Sequence, residues 1–281
     1  MDRLQLFNKV SDKCNKSVIS SYSTSFSFAT NLLHRDIRQS IMNIYGFVRL
    51  ADEIVDSFHD FDKKSLLIRF KKDTNLAINE GISVNPILQG FQNVVRTYNI
   101  DNGLIEAFFD SMFTDLNKTN WESESELDNY IYGSAEVVGL MCLCVFVNGE
   151  RRLFEELSSS ARALGAAFQK VNFLRDLKDD VADLNRSYFP ELNNGELNAA
   201  AKLSIESSIE KDFEEAFKGI KLLPVKSKFG VLVAYKCYMS LFNKIRKLPP
   251  EVIFQKRVRI NNASKLYLIL KTAIFSKFSV A

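Results

Sequence analysis

Apolar residues recur along almost the whole chain at the three-to-four-residue spacing of an amphipathic helix, and no stretch shows the alternation and turn signals of a hairpin. That pattern leaves an all-α fold. With 11 Gly and 5 Pro in 281 residues and no Pro-, Gly- or Ser-rich tract, no linker, internal repeat or low-complexity segment divides it, so residues 1–281 read as a single helical domain. The spacing predicts helices over 36–58, 63–80, 84–98, 103–116, 124–148 with a break near Gly133, 151–183, 199–218, 226–247 and 262–276. The longest apolar run, Val137 to Val147, is too short to cross a bilayer and reads as a buried helix.

The 37 basic and 34 acidic residues nearly cancel, and a net charge of +3 calls for no nucleic-acid partner. Basic residues gather toward the C-terminus: Lys244, Arg246, Lys247, Lys256, Arg257, Arg259, Lys265, Lys271 and Lys277 meet a single acid there, Glu251. Two readings stand, a solvated basic surface and a site of peripheral contact with an anionic membrane. Cys14, Cys142, Cys144 and Cys237 form no C-x-x-C pair and suit buried thiols better than a disulfide framework. The first residues lack the basic and apolar regions of a signal peptide, so the expected location is the cytosol. No obligate protein partner is inferred.

Two acid boxes of identical spacing carry the chemistry: Asp52-Glu53-Ile54-Val55-Asp56 and Asp176-Leu177-Lys178-Asp179-Asp180. Positions four apart share a helix face, and like charges there cost an isolated helix roughly 0.2–0.5 kcal/mol per pair, so two such boxes point to a compensating cation. At about 100° per residue, Asp52 and Asp56 fall within about 20° of Tyr45 and Arg49 about 40° away, while the apolar stripe Ile37, Ile44, Val48 and Val55 lies near −80°. The acids therefore border the buried stripe, where the wall of an internal cavity would sit. In the second box Asn172, Asp176 and Asp180 drift slowly round one face shared with Gly165, Gln169 and Phe173, and Asp179 and Asp183 extend it.

Mg²⁺, with Mn²⁺ as a substitute, is the expected ion: it takes hard oxygen ligands and binds through one or two carboxylates completed by water and substrate phosphates. With only His34 and His59 in the chain, a zinc-type site is disfavoured. Arg49 precedes the first box, Arg175 adjoins the second, and Arg186, Tyr188 and Pro190 follow it; a guanidinium fork suits phosphate oxygens, and a diphosphate is the anion inferred. Each Arg could equally be a surface ion partner. A pair of exposed acidic faces is the bland alternative for the boxes themselves.

The segments Tyr22-Ser-Thr-Ser-Phe26, Tyr45-Gly-Phe-Val-Arg49, Tyr130-Ile-Tyr-Gly-Ser-Ala-Glu-Val-Val-Gly139, Gln169-Lys-Val-Asn172-Phe-Leu-Arg175-Asp176 and Asn185-Arg186-Ser-Tyr188-Phe-Pro190 resemble, in order and separation, the phytoene and squalene synthase family over roughly residues 15–275. The resemblance implies an isoprenoid synthase bundle around a central cavity and head-to-head joining of two prenyl diphosphates. It implies that Asp52, Asp56, Asn172, Asp176 and Asp180 hold Mg²⁺, the four aspartates being catalytic, and that Ser25, Phe26, Tyr45, Arg49, Tyr130, Gln169, Arg175, Arg186 and Tyr188 contact substrate. Asp115 and Tyr238 align less closely. Where many members carry a small residue, this chain has Glu136, expected to face an Arg or solvent.

Within that resemblance the leading reading is phytoene formation from two geranylgeranyl diphosphates through a cyclopropylcarbinyl diphosphate, in carotenoid biosynthesis. Squalene or dehydrosqualene formation from farnesyl diphosphate is the alternative; no G-x-G-x-x-G fingerprint is present and no NADPH is expected. A terpene cyclase would need the D-D-x-x-D box the chain lacks, and an inactive helical scaffold would be expected to lose acids that are kept here. A carbocation needs a dry, electron-rich wall. Phe26, Phe47, Phe108, Phe109, Phe168 and Phe173 are the candidates, with ordinary core packing the alternative for each. Gly133, Ala135 and Gly139 would admit a prenyl chain close to the backbone or, equally, a close helix crossing.

Overall fold

A computed structural model describes residues 2–184, 186–192, 197–255 and 257–261 together with 267, 268 and 272. Among them every regular element is helical: α1 Arg3–Tyr22, α2 Thr24–Asn31, α3 Arg35–Asp56, α4 Lys63–Glu80, α5 Pro86–Tyr98, α6 Asn102–Asp115, α7 Glu124–Ile131, α8 Val137–Phe146, α9 Arg151–Leu184, α10 Ala199–Ile220, α11 Val225–Arg246 and α12 Pro250–Ile253. A π turn, Tyr132–Glu136, joins α7 to α8. The starts follow from local chemistry. Ser23, Asp62, Asn85, Asp101 and Ser123 each cap a helix by accepting from a backbone N–H of its first turn, and Pro86 opens α5 where its missing donor costs nothing.

Helices α3 to α11 lie where the spacing places them, and the break expected near Gly133 is the π turn. A Cβ on Gly133 would come within 2.6 Å of the Ala107 carbonyl oxygen, so α6 packs directly on this backbone. Three helices escaped the periodicity reading, α1, α2 and the four-residue α12. In α1 the buried positions are Ser11, Asn15 and Ile19, two of them polar, so no apolar stripe marks it. Asn15 instead fills a socket left by glycines: a Cβ on Gly46 would lie 1.8 Å from its Oδ1. Helix α2 is only eight residues long, too short for a period to declare itself. The helix expected over 262–276, and Asn185 of the sequence motif, fall largely or wholly outside the described residues.

The interior forms two apolar clusters. One gathers α3, α5, α6 and α8 around stacked Phe47 and Phe91, 3.8 Å between centroids, with Phe70, Phe108 and Phe109 set against them. The other joins α7, α9, α10 and α11 around Trp121, Phe173, Tyr188, Phe213 and Phe242. Residues Glu124–Phe146 together are long and apolar enough to cross a membrane by composition, yet half of the apolar window is buried and α8 runs through the core. No disulfide joins the four cysteines, three of which are buried.

Candidate active site

Between the two clusters lies a cavity of about 410 Å³, walled by α2, α3, the π turn, α8, α9, α10 and α11. Its polarity changes along both long walls. On α3 the lining runs Ile41, Tyr45, Val48, Asp52, Asp56; on α9 it runs Leu157, Ala161, Leu164, Phe168, Gln169, Asn172, Asp176, Asp180. From Leu157 to Asp180, at 1.5 Å per residue, is about 34 Å of helix. The cavity is thus a long apolar trough with an acidic end.

That acidic end has an architecture the spacing alone did not reveal. Asp56 is the last residue of α3, Asp115 the last of α6, and Asp180 lies in the penultimate turn of α9. Three helix C-termini, each the negative pole of its dipole, meet with carboxylates already attached. The crowding is visible in the protonation equilibria. Burial, then the neighbouring Asp56 carboxylate, lifts Asp52 to about 8. Burial, then Asp176, lifts Asp180 to about 7, and burial outweighs Arg186 and the Tyr130 hydrogen bond to raise Asp115 to about 7. Oxygens whose burial outweighs the nearby arginines favour protons, and a divalent ion would serve the same need.

Arginines supply part of the compensation. Arg186, buried, donates to Asp56 Oδ1 at 2.9 Å and to the Asp115 carbonyl oxygen at 3.0 Å, tying the ends of α3 and α6 together. Arg175 grips Asp176 with both Nε and Nη2, and Arg257 reaches the same carboxylate at 2.7 Å. Tyr130 Oη donates to Asp115 Oδ2 at 2.9 Å, and Tyr238 Oη donates to Asn172 Oδ1 at 3.3 Å. Asp115 Oδ1 is buried with no hydrogen-bond partner.

The donor set suits a hard divalent cation: carboxylates from two facing helices, an amide oxygen at Asn172 in register, and an orphan carboxylate oxygen beside them. Among the described residues no three His, Cys, Asp or Glu side chains are arranged to chelate an ion unaided. Ligands from a bound phosphate would complete such a set.

Of the residues singled out from the sequence, Phe26, Tyr45, Asp52, Asp56, Tyr130, Gln169, Asn172, Arg175, Asp176, Asp180, Arg186 and Tyr188 all line the one cavity. Two do not. Ser25 is half-buried on α2 away from the lining, and Arg49 turns to the neighbouring Glu53 carboxylate with its guanidinium 4.4 Å over the Tyr22 ring. Arg49 stands about 60° round the helix from Asp52 and about 20° from Asp56, and the Asp52 carboxylate still acts on its charge. The side chain of Asp183 lies outside the described residues. Asp115 and Tyr238 prove to be full members of the wall, and Arg257, read from the sequence only as part of a basic run, was missed; only its separation from the second box hid it.

Residues 19–264 match the family described as squalene/phytoene synthase. The chain belongs to the squalene/phytoene synthase family. It is 27% identical to the chloroplastic phytoene synthase of Daucus carota over all of this chain and 75% of that protein, and 26% identical to chloroplastic phytoene synthase 1 of Solanum lycopersicum over 94% and 67%. Its backbone superposes on a ligand-bound dehydrosqualene synthase with TM-score 0.83 at 21% identity, covering 98% and 99% of the two chains. The squalene synthase HpnC from Alicyclobacillus acidocaldarius gives 0.74 at 18%, covering 85% and 94%. These likenesses bear out the all-α isoprenoid synthase fold.

Within this family fold the aromatic expectations divide. Phe26, Phe168 and Phe173 face the cavity, with Phe168 stacked on Tyr238 at 3.8 Å and Phe173 on Tyr188 at 3.8 Å. Phe47, Phe108 and Phe109 belong to the closed core cluster, so they are packing residues. Glu136 turns from the trough to accept from Arg162 Nε at 2.6 Å. Gly139 and Gly165 mark a tight crossing: a Cβ on either would lie 2.7 Å from a carbonyl oxygen of the facing backbone, Ala161 or Ala135.

Proposed function

We propose that the protein joins two prenyl diphosphates head to head, and that its substrate is geranylgeranyl diphosphate and its product phytoene. The observation that carries this is the polarity of one continuous trough, acidic where three helix C-termini and buried Arg186 converge and apolar along the rest of α9. A molecule with an anionic head and a long hydrocarbon tail has that polarity. Membership of the family and likeness to the two plant phytoene synthases support the choice of reaction.

Asp52, Asp56, Asn172, Asp176 and Asp180 would hold Mg²⁺, which when bound neutralises charge on the departing diphosphate. Arg175, Arg186 and Arg257 stand where their forked donors can leave the carboxylates and take phosphate oxygens instead. The cost of that exchange is small where the acids find another cation. Phe26, Phe168, Phe173, Tyr45 and Tyr188 wall off water beside the head group and present ring faces to an allylic cation. The double bond of the second prenyl chain attacks that cation, a proton is lost and a cyclopropylcarbinyl diphosphate forms. Its ionisation releases the second diphosphate, the cation rearranges in the same dry space, and loss of a second proton gives the linear hydrocarbon.

The test is incubation of the purified protein with Mg²⁺ and either geranylgeranyl or farnesyl diphosphate, with and without NADPH, followed by product identification. Phytoene from the longer substrate without NADPH is expected. Product from farnesyl diphosphate alone would move the protein to the dehydrosqualene or squalene reading.

A further inference from the structure

The apolar end of the trough is closed by a thin wall. Ile220 and Leu223, at the end of α10 and in the turn that follows, line the cavity, as do Leu33 before α3 and Gly230 on α11. The same turn shows its other side to solvent: Leu222 is 56% exposed and Val225 is 89% exposed. A backbone hydrogen bond from His34 N to Lys226 O, 3.0 Å, sets the turn before α3 beside it and brings Arg35 to the same surface.

Single exposed apolar residues need no explanation. Here two lie at one turn, ringed by long cationic side chains. Lys218, Lys221, Lys226 and Arg35 are exposed around them; Glu215 pairs with Lys218, Asp36 pairs with both Lys226 and Arg35, and Glu214 lies close, so four cations outnumber three acids by one, with Lys221 packed over the Phe217 ring at 4.5 Å. Apolar tips inside a ring of mixed charge with a positive excess fit the interface of an anionic bilayer, the tips entering the acyl boundary and the lysine stems reaching the head groups.

We infer that the α10–α11 turn, with Leu222 and Val225 as its apolar tips, docks the protein on an anionic lipid bilayer and places the apolar end of the trough against the membrane. This differs from the basic C-terminal region, because it joins the charge to apolar surface and to the cavity floor. Its consequence for product release rests on the proposed condensation: an uncharged hydrocarbon left in the trough has no affinity for the acidic end, and the bilayer beyond the floor is the solvent that dissolves it.

The test is sedimentation of the full chain with vesicles of phosphatidylcholine alone or with about one third phosphatidylglycerol. Binding to the anionic vesicles is expected, weakened by salt because exposed charges are screened. The double variant L222D V225D should lose about tenfold in bound-to-free ratio. Val84→Asp, at a 97% exposed position before α5, and Arg259→Glu in the other basic region should bind as the wild type does. The inference is overturned if the wild type stays in the supernatant, if L222D V225D binds equally well, or if either control loses as much. It is also overturned if sedimentation velocity shows that the turn holds two copies of the chain together. Diphosphate release in detergent micelles should be unchanged in L222D V225D, whose helicity and melting serve as the folding check. Absence of release even from the wild type would count against the proposed reaction while the vesicle result alone decides docking.

Discussion

At the scale of single residues, Asp52 and Asp176 anchor the two acidic walls, and Asp176 also holds Arg175 and Arg257. Asp52→Ala or Asp176→Ala should lower turnover by about a thousandfold or more, the size of effect expected when a group stabilising transition-state charge is removed, with unchanged helicity by circular dichroism. Retained turnover in either variant would remove that aspartate from the mechanism. Both were legible in the sequence because i, i+4 acids beside a buried stripe have few structural uses. Asp115 was harder to see, since its neighbours on α6 are ordinary core residues and it reaches the site only because α6 ends there. Arg49 is the converse case: its place in the motif suggests the cavity, and its guanidinium turns to Glu53 and Tyr22 at the rim while still acting on the Asp52 carboxylate.

At the scale of helices, the crossing of α9 with the π turn and α8 sets the width of the trough. Gly165 faces Ala135 O and Glu136 Cα, at 2.7 and 3.1 Å from where a Cβ would stand, and both are backbone atoms that cannot rotate aside. Gly165→Ala should therefore destabilise the fold by about 1–3 kcal/mol, the usual cost of overpacking. Thermal denaturation reads this as a fall in Tm of about 2–4 °C per kcal/mol. A change below about 0.5 kcal/mol, the range of an ordinary surface substitution, would mean the crossing is looser than its geometry. In the sequence Gly165 stands on the site-facing strip and Gly139 suits either a prenyl chain near the backbone or a close helix crossing, and only the facing backbone decides for the crossing. For α1 the order of evidence is reversed: the helix is held by an amide in a glycine socket, and Gly46 and Gly90, which make the socket, stand far along the chain.

For the molecule as a whole, the convergence of three acidic helix ends links stability to pH and to bound cations. Asp52, Asp115 and Asp180 are raised from 3.8 to about 8, 7 and 7. The folded protein therefore binds protons that the unfolded chain releases first. Their contribution is fully present below the unfolded value near 4 and is lost as pH rises through 7 and 8. Without added metal, Tm should fall between pH 6 and pH 8.5. Mg²⁺ with inorganic pyrophosphate should restore it, by about 2.7 kcal/mol at a hundred times Kd, and the gain should be larger at pH 8.5, where no protons must be expelled to admit the cation. Because pyrophosphate itself titrates in this range, Asp52→Asn is the internal reference: with that carboxyl replaced, the metal-free decline across pH 7–8.5 should flatten. A decline in Asp52→Asn as steep as in the wild type would show that the acidic end is already neutralised by its own arginines, and that the exchange of Arg175, Arg186 and Arg257 from carboxylate to phosphate is not driven by a shortage of positive charge.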